Sequence, residues 1–248
     1  MNTEQIQVLV SQAKAFLNRE TQTVLGENDA IDTKVRESFG PYPHMFVLCC
    51  LMDRQMSSDK AFDIPFKIGD AVGSYDLTKL NGLPEEYYTK LFKELGLHRF
   101  NEKMAKVFKH GLERIATFYH GDASQIWCNK PDSATVICRF LEFDGCGVKI
   151  ATMATNILHR TFGIPFSEYT AIDVSPDVHV LRVMYRLGII SVQMNRDMAI
   201  YAMRGIYPAY PGLFDGLFWR IGREYCHPLK KPYCDRCPIK DACIKRDV

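Results

Sequence analysis

The feature that most limits the fold is a pattern of spacing. Along 248 residues no stretch alternates apolar and polar residues in the period-two manner of a strand, while apolar residues three and four apart recur from end to end. In Met1–Glu20 the residues Ile6, Val10, Ala13 and Leu17 share one side of a helix, and in Glu102–Tyr119 so do Met104, Val107, Phe108, Leu112 and Ile115. After the Gly82 and Pro84 breakers, Tyr87, Leu91 and Leu95 repeat the pattern, with Gly96 as the natural stop. Ser133–Phe140, Lys149–Arg160, Asp177–Leu187 and Met194–Met203 read as further helices. Met45–Met52 is apolar on all sides and reads as a buried helix continuing into the polar Asp53–Lys60, whereas Ala30–Pro43, ending in Gly40, Pro41 and Pro43, reads as a connection. The expected fold is all-α, without repeats or low-complexity segments.

Composition narrows the function classes. With 47% hydrophobic and 24% charged residues the chain is neither disordered nor fibrous, and its length allows one large domain or two modest ones. The net charge of +2 gives no global field, so any nucleic-acid site must be local. The most apolar run, Met45–Met52, is 8 residues long against the roughly 20 of a membrane span. The amphipathic N-terminal segment is unlike a secretory signal, and a soluble, intracellular protein is expected.

Nine cysteines are many for such a chain unless most of them bind something. Four form the pattern Cys226-x7-Cys234-x2-Cys237-x5-Cys243. Thiolates at such short spacing can enclose one metal centre, either tetrahedral zinc or an iron–sulfur cubane. Lys230 and Lys231 lie between the first two cysteines, and Phe218–Val248 carries eight Lys or Arg against four Asp or Glu, a local excess suited to phosphate.

Two further segments carry chemistry. In Phe143-Asp144-Gly145-Cys146-Gly147-Val148-Lys149, glycines one residue apart between two helices allow a tight turn that brings bare N–H groups to a helix N-terminus, where dipole and donors both favour an anion. In Asp177-Val178-His179-Val180-Leu181-Arg182-Val183, Asp177 is a natural N-cap for the helix that follows.

The cysteine pattern resembles the C-x6-C-x2-C-x5-C loop of the endonuclease III family of DNA glycosylases, with a first interval one residue longer. The hairpin resembles that family's L-P-G-V-G-x-K-T-A, Phe143 and Asp144 standing for Leu and Pro, and the Asp177 segment is similar to V-D-T-H-x-x-R-V. Leu51-Met52-Asp53-Arg54-Gln55-Met56-Ser57-Ser58-Asp59 resembles the helix end L-L-S-x-Q-x-T-D, with Asp53 in place of Ser. These motifs, in order, extend the resemblance over residues 45–248.

The resemblance implies a two-lobed helix-hairpin-helix glycosylase fold with a C-terminal iron–sulfur loop. One lobe is expected at residues 31–158 and the other at 1–30 plus 159–248, with an active-site cleft between them. It implies a [4Fe-4S] cluster on Cys226, Cys234, Cys237 and Cys243, and DNA contacts from Gln55, Gly145, Gly147, Lys230 and Lys231, with Gln55 filling the gap left by an extruded base. Lys149 falls where lyase-competent relatives carry a nucleophilic amine, at a helix start whose dipole disfavours an ammonium. Asp177 would stabilise positive charge developing on the sugar. The stretch between Lys149 and Asp177 is longer than in the family, the extra residues falling around Phe166–Pro176, so Asp173 is a rival carboxylate. His179 and Arg182 follow Asp177 in the matching register and favour it.

The expected protein is a monomeric DNA-repair glycosylase with abasic-site lyase activity, acting on double-stranded DNA that holds a damaged or mismatched base. Its expected location is cytoplasmic or nucleoid-associated, without membrane contact, and oxidised pyrimidines are the family-level substrate. The alternatives are a monofunctional glycosylase using Asp177 and water, and a non-catalytic iron–sulfur protein that binds DNA or senses redox state.

Overall fold

The computed structural model describes residues 1–20, 29–229 and 231–246, and among these the regular structure is helical, with no strand. Contacts divide the chain into two compact units, one comprising Thr23–Pro131 and Thr135–Ala154, the other Met1–Gln22, Asp132–Ala134 and Thr155–Val248.

The first unit is built on α2 (Asp29–Phe39), α3 (Pro43–Met52), α4 (Ser58–Val72), α5 (Leu77–Asn81), α6 (Glu85–Glu94), α7 (Asn101–Phe118), most of α8 (Ser133–Leu141) and the start of α9 (Val148–Arg160). Helix α3 is its axis. Residues His44 to Met52 are all buried, as an all-round apolar helix requires, and α2, α4 and α7 pack around it. Each large side chain so buried stabilises the unit by about 1.5–3 kcal/mol relative to exposure. Helix α6 lies against α7 through Tyr88 and Phe92, whose rings approach Phe108 at 5.1 and 6.2 Å, and it ends where Gly96 takes a left-handed φ of 57°.

Two expectations are corrected here. Ala30–Pro43 is mostly helix, because Ile31, Val35 and Phe39 recur every fourth residue and the first two are buried; the charged residues between them obscure that face. Nor does the helix at Met45–Met52 run on to Lys60. It stops at Met52, where the Arg54 N–H turns back to the Met52 carbonyl at 2.7 Å and the Arg54 carbonyl accepts from His98 Nε2 at 2.9 Å. Gln55 then adopts a left-handed φ of 54°, and α4 restarts after Ser57.

The second unit contains α1 (Thr3–Glu20), the end of α9, α10 (Val178–Leu187), α11 (Arg196–Ile206) and α12 (Asp215–Glu224). Helix α12 is absent from the sequence reading, although Leu217, Phe218 and Ile221 give it a buried face. It crosses α10 closely: a Cβ on Gly222 would sit 2.7 Å from His179 Cβ and 2.9 Å from the His179 carbonyl, so only glycine admits the contact. The additional residues before α10 are tied down in several places. The Glu168 carboxylate accepts from the Ser133 N–H at 2.9 Å and hydroxyl at 2.6 Å, and from Thr170. Burial opposes ionisation of Glu168, but the bonds from Ser133 and Thr170 hold its carboxyl below the usual range. The Ile172 carbonyl accepts from the Gly212 N–H at 2.6 Å.

Candidate active site and nucleic-acid interface

Lys149 is the second residue of α9 and is exposed. The hairpin before it is anchored by Phe143, 2% exposed, whose ring lies nearly parallel to Tyr119 at 6.1 Å with 4° between planes. Gly145 takes φ 77°, and a Cβ there would lie 2.9 Å from Arg54 Nη1 and 3.1 Å from Val107 Cγ2. The left-handed backbone favours glycine at 145, and a larger residue would in addition push aside the Arg54 guanidinium and crowd Val107. Gly147 is exposed, has ordinary backbone geometry, and would place a Cβ in open space. Asp144, the acid in the hairpin, is bonded to His110 Nδ1 at 2.5 Å, and His110 Nε2 faces Glu85 at 3.6 Å. Cys146 is half-buried; burial pushes its thiol up to about 12, with the Arg54 charge pulling the other way.

Gln55 is exposed and belongs to the same unit as the hairpin, the loop and the hairpin meeting at Arg54. Sequence reasoning missed Arg54 and His110. No local signal marks either, since their partners lie 91 and 34 positions away at Gly145 and Asp144.

Asp177 stands in the other unit, as the N-cap of α10. Its Oδ1 accepts from the His179 and Val180 N–H groups, both at 2.8 Å, while its other oxygen has no hydrogen bond among the described residues. Asp173 is engaged differently. It is 6% exposed and forms a two-pronged ion pair with Arg204, at 2.8 Å to Nε and 2.7 Å to Nη2. Arg182 is also buried and acts as a strut, donating to the Cys226 carbonyl at 2.7 Å and the Gly222 carbonyl at 2.6 Å, with its Nη2 3.1 Å from His179 Nδ1. Through it the Asp177 helix is joined to the first cysteine of the cluster motif.

Cys226, Cys234, Cys237 and Cys243 are free thiols that line a single pocket with a cavity volume of about 30 Å³, together with the aliphatic chains of Val183, Leu187, Ile221 and Ile239. Among the described residues no three Cys, His, Asp or Glu side chains converge closely enough to hold one metal ion. Arg186 Nη1 donates to Cys226 Sγ at 3.2 Å, and the Lys245 N–H to Cys243 Sγ at 3.4 Å. Burial pushes the Cys237 thiol up to about 11 and raises Cys243, the neighbouring thiols adding to both. Lys231 is exposed on the loop, and Lys230 lies outside the described residues. Among the described residues no helix is long and apolar enough to cross a membrane.

No family model and no curated protein sequence matches the chain. Solved structures do. The chain is similar to endonuclease III in a trapped covalent intermediate with DNA, an estranged-adenine complex, with a TM-score of 0.63 and 15% identity over 99% of this chain and 97% of that one. It is equally similar to a thermostable thymine-DNA glycosylase, with a TM-score of 0.63 and 16% identity over 98% and 96% of the two chains. The chain thus has the all-α fold of the endonuclease III-like helix-hairpin-helix glycosylases.

Proposed function

We propose that the protein is a DNA-repair N-glycosylase with abasic-site lyase activity, excising a damaged base from duplex DNA through a Schiff base on Lys149. The observation that carries this reading is the position of Lys149, exposed in the first turn of α9 immediately after the left-handed Gly145 hairpin, on a fold shared with a protein caught in a covalent intermediate with DNA. The lysine nitrogen attacks the anomeric carbon of the extruded nucleotide, the glycosidic bond breaks, and the base departs with the bonding electrons. The free oxygen of Asp177 stabilises the positive charge on the sugar and takes the proton that the amine must lose. The sugar ring then opens, the C1′–O4′ bond breaking as O4′ takes up a proton, and the imine so formed permits β-elimination of the 3′ phosphate, which nicks the strand.

The same reading assigns a [4Fe-4S] cluster to Cys226, Cys234, Cys237 and Cys243. Four free thiols around one apolar pocket, with the Arg186 guanidinium set against Cys226, suit a group larger than a single ion and carrying negative charge. When bound, the cluster supplies closure of the loop that presents Lys231 to the phosphate backbone. Burial disfavours the Cys237 and Cys243 thiolates, so holding the group there would require its positive metal charge to offset that burial.

The test is borohydride trapping on DNA with a preformed abasic site. The parent protein should form a covalent adduct and nick the strand, and Lys149→Gln should do neither while still binding. Base release without any trapped adduct would replace this reading with a monofunctional glycosylase using Asp177 and water, and absence of both would leave a DNA-binding or redox-sensing protein. Asp177→Asn should lower base excision by roughly 10²–10³-fold with binding retained. Asp173→Asn should instead lower thermal stability, since it breaks the two-pronged pair between the buried Asp173 carboxylate and the half-exposed Arg204. A large catalytic loss in Asp173→Asn with none in Asp177→Asn would move the register by four residues.

A further inference from the structure

The Arg54 side chain packs under the Gly145 turn, and among the described residues no carboxylate pairs with its charge. Its backbone is fixed on both sides, by the N–H bond to the Met52 carbonyl at 2.7 Å and by His98 Nε2 on its own carbonyl at 2.9 Å. His98 is 3% exposed and its Nδ1 accepts from the Phe100 N–H at 3.0 Å, so the ring carries its hydrogen on Nε2 and holds that carbonyl firmly. The half-buried side chain then reaches the hairpin, its Nη1 2.9 Å from where a Gly145 Cβ would be. Among the described residues the guanidinium is bonded to no carboxylate and no carbonyl. Five N–H donors on a fixed stem are left available.

The same hairpin contains an acid, Asp144, that would repel an anion approaching its N–H groups. That acid is occupied. His110, reaching across from α7, holds Asp144 Oδ2 at 2.5 Å, while the Glu85 carboxylate on α6 stands 3.6 Å from the other ring nitrogen. A bare guanidinium and a tethered carboxylate therefore sit on one hairpin, and both features raise its affinity for negative charge.

We propose that Arg54 binds a backbone phosphate of the DNA strand lying on the Gly145–Gly147 hairpin, and that His110 is a positioning residue that keeps the Asp144 carboxylate off that phosphate. This inference rests on the DNA-binding part of the functional reading. It does not depend on the lyase chemistry, the metal or the identity of the excised base. Arg54 adds charge to a hairpin that lacks it, and His110 removes the repulsion that Asp144 would introduce.

The experiment is a salt titration of duplex binding, using the full-length parent and a duplex carrying a tetrahydrofuran abasic analogue, with thermal unfolding measured alongside. Arg54→Gln should weaken binding roughly five- to tenfold near 0.1 M salt and reduce the slope of log K against log salt by about 0.9, the increment for one neutralised phosphate. Arg54→Lys should restore most of the slope. His110→Ala should weaken binding about threefold, and adding Asp144→Asn to it should restore the parent value, a recovery that a merely structural role for His110 would not give. An unchanged slope and affinity in a folded Arg54→Gln protein overturns the proposal. So does a loss that varies with the base opposite the analogue at constant slope, since Arg54 would then read a base. If the parent itself binds no duplex at low salt, it is the glycosylase reading that fails, independently of Arg54.

Discussion

The hairpin Phe143–Val148 and the loop Cys226–Cys243 both carry exposed backbone and basic neighbours, yet they are held in different ways. The hairpin is braced from beneath by side chains distant in sequence: Tyr119 against Phe143, His110 on Asp144, Arg54 and Val107 under Gly145. The cysteine loop is secured mainly at its ends, by Arg182 and Arg186 on Cys226 and His227 and by the contact of Cys243 with the Arg186 carbonyl. Its middle combines local turns, such as the Cys237 N–H to the Cys234 carbonyl at 3.2 Å, with burial of Ile239 and Ala242 in a stretch packed against α1, while Leu229 is 96% exposed. The hairpin takes its shape from the core of its unit, whereas under the proposed function the loop would take part of its shape from the group on its four thiols.

The largest effect that would break this contrast is metal removal. Stripping iron by chelation, or Cys237→Ser, should expose residues 227–233 to limited proteolysis and lower DNA affinity on the order of tenfold through loss of loop phosphate contacts. Adduct formation through Lys149 at saturating DNA should persist, since the side chains that brace the hairpin all come from its own unit. Iron content, protease sensitivity and trapping measured on one preparation check this. A demetallated protein with an intact, protease-resistant loop would show that the turns alone suffice.

This difference also explains what the sequence revealed and what it did not. The cysteine spacing, the two glycines and the Asp177 cap are local patterns, legible because each arises within a few residues. The helix face of α7 was equally legible from Met104, Val107, Phe108, Leu112 and Ile115. The stop after Met52 was not, since Asp53-Arg54-Gln55 is a polar run compatible with helix and the bond that ends it comes from His98, 44 positions away. Arg54 and His110 were invisible for the same reason. Helix α2 is a different failure, a four-residue apolar repeat present in Ile31, Val35 and Phe39 but overshadowed by the charges between them and the glycine and prolines that follow.

The next largest effect tests the hairpin's dependence on its supporting side chains. Gly145→Ala must place a Cβ in left-handed backbone and 2.9 Å from the Arg54 guanidinium. The backbone term alone costs about 1–2 kcal/mol, and displacement of Arg54 adds to it. The midpoint of thermal unfolding should fall by several degrees, and DNA affinity should fall with it as the guanidinium is pushed aside. Combining Gly145→Ala with Arg54→Gln should recover part of the stability but none of the affinity. Full independence of the two substitutions would mean that Arg54 does not support the hairpin.

The smallest effect on the fold is expected two residues further on, where the contrast becomes sharpest. Gly147 has an ordinary φ, and a Cβ built there meets nothing within 4 Å. Gly147→Ala should therefore change stability by no more than about 0.5 kcal/mol, as for other exposed sites without special geometry. Binding should respond differently. If the α9 N-terminus receives a phosphate, a methyl group at its entrance displaces that phosphate from the N–H groups, and affinity falls several-fold with folding untouched. At Gly145 stability and affinity are then lost together, and at Gly147 affinity alone is lost. Denaturation and duplex binding measured on the two alanine variants separate the residue that shapes the hairpin from the residue that faces DNA, and equal affinity for Gly147→Ala and parent would remove Gly147 from the interface.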